Sequence, residues 1–111
     1  LAAAKARALE MARDYTPPEP FELRLPGPTG RTALDLGVRD FINKGVASTH
    51  DGVIAHELAI MLSGGNTDAL DIVSEDRVLR LERDAIINLA RTKKSRARVD
   101  HMLRKGKPLR N

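Results

Sequence analysis

The sequence predicts an all-α fold, a small bundle of about four to five helices with a proline-rich extended connector after the first. Three observations carry this. Apolar residues recur at helical spacing from residue 31 onward, and glycines sit where the helices must stop. Five of the six prolines crowd into residues 15–30, where they forbid helix. With only Tyr15, Phe21 and Phe41 as aromatics, any core must be built from Leu, Ile, Val, Ala and Met.

Residues 1–14 alternate Ala with long-chain helix formers, and Leu1, Ala4, Ala8, Leu9, Met11 and Ala12 share one broad face. Neither an initiating Met nor a capping residue precedes Leu1, so this helix is expected to continue from an upstream domain. Residues 15–30 form the connector. Within it Phe21, Leu23 and Leu25 alternate with Glu22 and Arg24, which admits a short edge strand or an extended arm. A lone strand has no evident partner, which favours the arm.

Residues 31–111 are expected to form a helical domain with a basic tail. Leu34, Val38, Phe41 and Ile42 mark its first helix, and Gly45 provides a left-handed stop. Ser48 or Thr49 can cap the next, between Thr49 and Ser63, with Asp51 in its first turn, Ile54, Leu58, Met61 and Leu62 inward, and Gly64-Gly65 as its end. Ser74, Glu75 and Asp76 open a third, lined by Val78, Leu81, Ala85 and Leu89 and widened by Leu79, Ile86 and Ile87; so wide a face predicts a central position. Thr92 or Ser95 opens the last, with Val99, Met102 and Leu103 inward and Gly106 and Pro108 beyond.

A chain of 111 residues holds one domain at most and buries roughly two-thirds of its unfolded surface, enough for one modest core. No run approaches the roughly 18 apolar residues of a membrane span. Zero cysteines exclude disulfides and thiolate chemistry and suit a reducing compartment, so a cytoplasmic location is expected. The net charge of +4 is uneven: residues 1–90 carry ten Lys/Arg against 14 Asp/Glu, and residues 91–111 carry nine against the single Asp100. The tail is therefore expected to meet something anionic, or to be simply a solvated face.

No motif supports catalysis. Gly27-Pro28-Thr29-Gly30-Arg31-Thr32 lacks the spacing and the Lys of a phosphate loop and reads as a turn before a helix. Gly64-Gly65 is too little for a dinucleotide fingerprint. His56-Glu57 opens like a zinc-protease motif, but Ile60 stands where the second His is needed, so no metal is expected. His50 beside Asp51 and His101 beside Asp100 point in different directions from their neighbours, and surface or capping roles are expected for them. Glu82 and Asp84 read as a solvated face. Nucleic acid is disfavoured because no aromatic is interleaved with the tail's basic residues.

Several stretches resemble one enzyme family in order along the chain. They are Ala2 to Ala12, Tyr15 with Pro17-Pro18, Leu25-Pro26-Gly27, Ser48-Thr49-His50-Asp51, Ala59 to Gly65, Leu81-Glu82-Arg83, Arg98 to Leu103 and Gly106-Lys107-Pro108-Leu109-Arg110-Asn111. Together they are similar to the C-terminal region of bacterial bifunctional β-oxidation enzymes, in which a 3-hydroxyacyl-CoA dehydrogenase part precedes a crotonase-type enoyl-CoA hydratase part. The resemblance implies a C-terminal helical fragment, inactive alone, because the catalytic groups of both parts lie upstream. It implies no cofactor in the fragment, NAD and acyl-CoA for the parent enzyme, and the upstream dehydrogenase and crotonase domains as partners. By analogy with that family's C-terminal helices, the fragment is expected to cover the CoA pocket or mediate subunit contacts, with Lys93, Lys94, Arg96 and Lys107 toward CoA phosphates. The alternative is a free-standing helical interaction module that pairs as a homodimer through residues 1–12 and the face from Val78 to Leu89.

Overall fold

The computed structural model describes residues 1–20 and 22–111. Its five helices are α1 (Ala2–Ala12), α2 (Gly27–Asn43), α3 (Thr49–Leu62), α4 (Glu75–Arg91) and α5 (Lys93–Lys105). A two-stranded antiparallel ribbon joins β1 (Glu22–Leu23) to β2 (Val73–Ser74), with Glu22 opposite Ser74 and Leu23 opposite Val73. The expected all-α bundle is thus the observed architecture, with a ribbon that the arm reading missed. The partner of Glu22–Leu23 lies at the foot of α4, far along the chain, where no local pattern reveals it. Phe21, the first residue of that alternating pattern, lies outside the described residues.

The order of packing is α2 on α3, α3 on α4, and α4 on α5. Helix α1 stands apart: every one of its residues is exposed, and its Arg7–Glu10 pair at 2.7 Å faces water. The radius of gyration is 18.9 Å, where a compact chain of this length would have about 13 Å. Helix α2 begins at Gly27, inside the connector and earlier than Arg31. Gly27 adopts φ +61°, and its N–H donates to Ser63 O at 2.8 Å, which ties the start of α2 to the end of α3. Pro28 in the first turn suits that start, since the first N–H groups have no intrahelical partner.

Local capping chemistry sets the other ends. The Ser48 hydroxyl accepts from the Asp51 N–H and the Asp51 carboxylate accepts from the Ser48 N–H, a reciprocal capping box. Ser74 caps α4 and Thr92 caps α5 in the same sense, by accepting from the N–H of Arg77 and Ser95. Gly45, Gly64, Gly65 and Gly106 take positive φ after their helices, as expected.

The core is thin. Ala59, Val73 and Ala85 are the buried apolar side chains among the described residues. Val78, Leu81 and Leu89 of α4 are half-buried, as their spacing predicts, whereas Leu79, Ile86 and Ile87 remain exposed. In α2 the inward apolar positions are Val38 and Ile42, not Leu34 and Phe41; in α3 they are Ile54, Ala55, Ala59, Ile60 and Met61, while Leu58 and Leu62 face out. In α5 the expected inward set of Val99, Met102 and Leu103 is instead exposed, and Ser95, Arg98 and His101 turn toward the body. A polar cluster therefore holds α5 in place.

Candidate functional site

The cluster forms where the first turn of α3 meets the middle of α5. The Arg98 guanidinium, on α5, donates from Nη1 to Asp51 Oδ1 at 2.6 Å and from Nη2 to Ser48 Oγ at 3.2 Å. Its Nε donates to Asn111 Oδ1 at 2.8 Å and Nη2 reaches Asn111 O at 3.4 Å. Asn111 Nδ2 in turn donates to Lys94 O at 3.1 Å, so residues 106–111 run back along α5. One guanidinium joins two helices and the tail, the use that its planar fork of donors allows.

Electrostatics follow from this geometry. The Arg98 hydrogen bond, and then the Ser48 N–H and hydroxyl, hold the Asp51 carboxyl well below the usual range, at about 2. His50 is 4% exposed, and its Nε2 shares a 3.0 Å hydrogen bond with Ser95 Oγ. Burial first, and the positive charges of Arg98 and Lys94 next, push its imidazole below its ordinary value against the opposing pull of Asp51. The expected surface or capping role for His50 thus gives way to an interhelical one, because its partners lie on α5 and not beside it in sequence. His56 does face water, with Nδ1 2.9 Å from Asp35 Oδ2 on α2.

The His50–Ser95 pair has the separation of a base and a nucleophile, but no described carboxylate hydrogen-bonds the other ring nitrogen. In a catalytic triad that third group holds the imidazole in the productive tautomer. Among the described residues, no group of three His, Cys, Asp or Glu side chains could hold a metal. The cluster is chemically suited to hold helices together.

The four candidate anion contacts do not gather at one place. Lys93, Lys94 and Arg96 sit in the first turn of α5, and Lys107 lies past its far end, about 18 Å away along the helix axis. Arg96 donates from Nη1 to Ala90 O at 2.9 Å and Arg91 O at 2.8 Å, and so satisfies the end of α4. Lys93, Lys94 and Lys107 are exposed. A depression of about 430 Å³ is lined by Ile54, Ile86, Leu89, Ala90 and Val99 together with Ser95, Arg96 and Arg98. Its walls are almost wholly apolar. No helix among the described residues is long and apolar enough to cross a membrane.

Over 97 residues, 87% of its length, the chain is 42% identical to a probable 3-hydroxyacyl-CoA dehydrogenase of Bacillus subtilis (strain 168). The match covers 12% of that protein, so the chain spans a small fraction of the curated relative's length. No protein-family model and no solved structure matches the chain.

Proposed function

We propose that this chain is a helical segment of a multidomain fatty-acid β-oxidation enzyme of the 3-hydroxyacyl-CoA dehydrogenase type. The observation that carries the reading is the 42% identity over 97 residues to one part of such a dehydrogenase. In this reading the segment is inactive alone. The whole polypeptide oxidises a 3-hydroxyacyl-CoA to the 3-oxo form, with the hydride passing to NAD. It does so in the cytoplasm and carries a crotonase-type hydratase part as well.

The segment's contribution is structural: it packs against the dehydrogenase and crotonase parts, covers the CoA pocket or joins subunits. The exposed apolar residues of α4 and α5 and the unsupported α1 favour such packing. Lys93, Lys94, Arg96 and Lys107 are proposed to face CoA phosphates or an acidic surface of the enzyme's own body. The same exposed faces favour a second reading, a free-standing helical interaction module.

The test is an assay of the natural polypeptide that contains this segment. It is expected to reduce NAD with a 3-hydroxyacyl-CoA and to hydrate an enoyl-CoA, while residues 1–111 alone do neither. Absence of dehydrogenase activity in the natural polypeptide would overturn the reading. Titration calorimetry with CoA at two salt concentrations addresses the cations. Changing the four residues to Ala is expected to abolish the salt-sensitive part of binding, and unchanged binding would remove them from the CoA contact.

A further inference from the structure

Helix α5 contributes no buried side chain. The depression of about 430 Å³, lined by Ile54 of α3, Leu89 of α4 and Val99 of α5, lies where those helices would otherwise share apolar contact. Helix α5 joins α4 through the single residue Thr92, extended at φ −82° and ψ 136°. Polar bonds tie it to the start of α3: His50 Nε2 with Ser95 Oγ at 3.0 Å, and the Arg98 guanidinium to Asp51 Oδ1 at 2.6 Å and Ser48 Oγ at 3.2 Å. Asn111 bonds to Arg98 and to Lys94 O, both on α5, so residues 106–111 travel with the helix. The Arg96 bonds to the Ala90 and Arg91 carbonyls lie at the joint itself, close to Thr92. A one-residue hinge and a polar latch therefore hold α5 to the body.

The latch closes around a buried imidazole. His50, 4% exposed, lies in the first turn of α3 and Ser95 in the first turn of α5, so the partial positive charges of two helix starts meet at the ring. The charged side chains that face it are Lys94 and Arg98 from α5 and Asp51 from α3; no described charged side chain of α2 or α4 does. The Asp51 carboxylate is already shared between Arg98 Nη1 and the Ser48 N–H. A proton on the ring adds positive charge where Asp51 has little left to offset it. Both repelling cations lie on α5, so the repulsion acts across the contact between α3 and α5 and not within either helix.

We propose that α5, together with residues 106–111, is an arm hinged at Thr92 that swings off the start of α3 when His50 takes up a proton. The swing carries Lys94 and Arg98 away from the ring, gives the ring water, and opens the depression beside Ile54 and Leu89. Docking of the arm lowers the proton affinity of His50, so the docked state is complete above 6.5 and is lost as pH falls below it toward the lowered docked value. The Ser48 and Asp51 capping box lies wholly at the start of α3, so that helix keeps its cap after release. The swing is independent of the enzymatic reading.

The chain has no cysteine, so dyes on introduced cysteines report single distances. Energy transfer between Arg39→Cys on α2 and Leu103→Cys on α5, both at exposed positions, follows the arm; transfer between Arg39→Cys and Glu82→Cys on α4 follows the body. From about pH 7.5 to about 5.5 the undocked population of the first pair is expected to grow about threefold or more, while the second pair stays constant. The His50 ring, titrated by NMR in the wild-type chain, is expected to take up its proton over the same interval. His50→Gln keeps an amide for Ser95 and does not titrate, and is expected to abolish the rise. Constant transfer in the first pair, or a rise of equal size in His50→Gln, overturns the proposal. So does a change in both pairs together, which is general unfolding and not a swing. Should His50→Gln lose helicity by circular dichroism, the wild-type comparison decides: a His50 titration outside the interval of the swing overturns the proposal.

Discussion

Replacing Arg98 by Met keeps most of the aliphatic stem and removes the guanidinium that joins α3, α5 and the tail. The change deletes contacts at 2.6 Å to Asp51, 3.2 Å to Ser48 and 2.8 Å to Asn111. A fully buried pair broken on one side costs about 3–5 kcal/mol and an exposed one about 0–1. The Arg98 and Asp51 side chains are 21% and 36% exposed, between those limits and nearer the wet one. Asp51 also keeps the Ser48 N–H at 2.7 Å and access to water, so it is not stranded. The expected loss is about 2 kcal/mol, or about 8–12 °C in Tm for a domain of this size. Thermal unfolding followed by circular dichroism measures it. A cycle with Asp51→Asn is expected to give a coupling of about 1 kcal/mol. In Arg98→Met the Asp51 carboxyl, titrated by NMR, is expected to rise from about 2 toward its ordinary 3.8. A Tm within about 2 °C of wild type, or an Asp51 that still titrates near 2, would refute the claim that Arg98 clamps these elements.

Because the folded state holds His50 neutral, its unfolded imidazole takes up protons first; stability is complete above 6.5 and falls as pH drops below it toward the lowered folded value. The urea midpoint of wild type is expected to decline in that window, and that of His50→Gln to decline less; parallel profiles would contradict it. The corresponding loss from Asp51 belongs lower, from about 4 down toward 2. Gly27→Ala is expected to destabilise by about 2–4 kcal/mol, since φ is +61° and a Cβ would stand 2.0 Å from the Thr67 carbonyl oxygen. Gly37→Ala, in the interior of α2 with open space around it, is expected to stabilise by about 0.5–1 kcal/mol; a reversed order of the two melting temperatures would count against the backbone described. Removing residues 1–14 is expected to shift Tm by less than about 2 °C, because α1 contributes no buried side chain. A larger fall would mean that α1 packs on the body.

The features legible in the sequence were those written within a single turn. Ser48, Ser74 and Thr92 cap through hydroxyls that reach N–H groups three residues on, and the glycines after α2, α3 and α5 mark stops by conformational freedom alone. What the sequence hid depends on partners far along the chain. The ribbon between Glu22–Leu23 and Val73–Ser74, the tie from Gly27 to Ser63 and the bond from His50 to Ser95 all join remote segments. Helical periodicity also misleads when a helix has two apolar sides. On α5 the apolar residues Val99, Met102 and Leu103 face out while Arg98 faces in, because Asp51, Ser48 and Asn111 compensate its charge. The charge count located the basic excess, but it did not show that Arg96 donates from Nη1 to the last carbonyls of α4 or that Lys107 stands apart from Lys93 and Lys94.

The proposal that this helical unit serves a larger β-oxidation enzyme is tested most directly by the intact mass of the natural polypeptide that contains it. An antibody against Gly106 to Asn111 would isolate that polypeptide from source-cell extract for mass spectrometry. The account predicts a product several times larger than the 12.2 kDa of these 111 residues. A product of 12.2 kDa would contradict it.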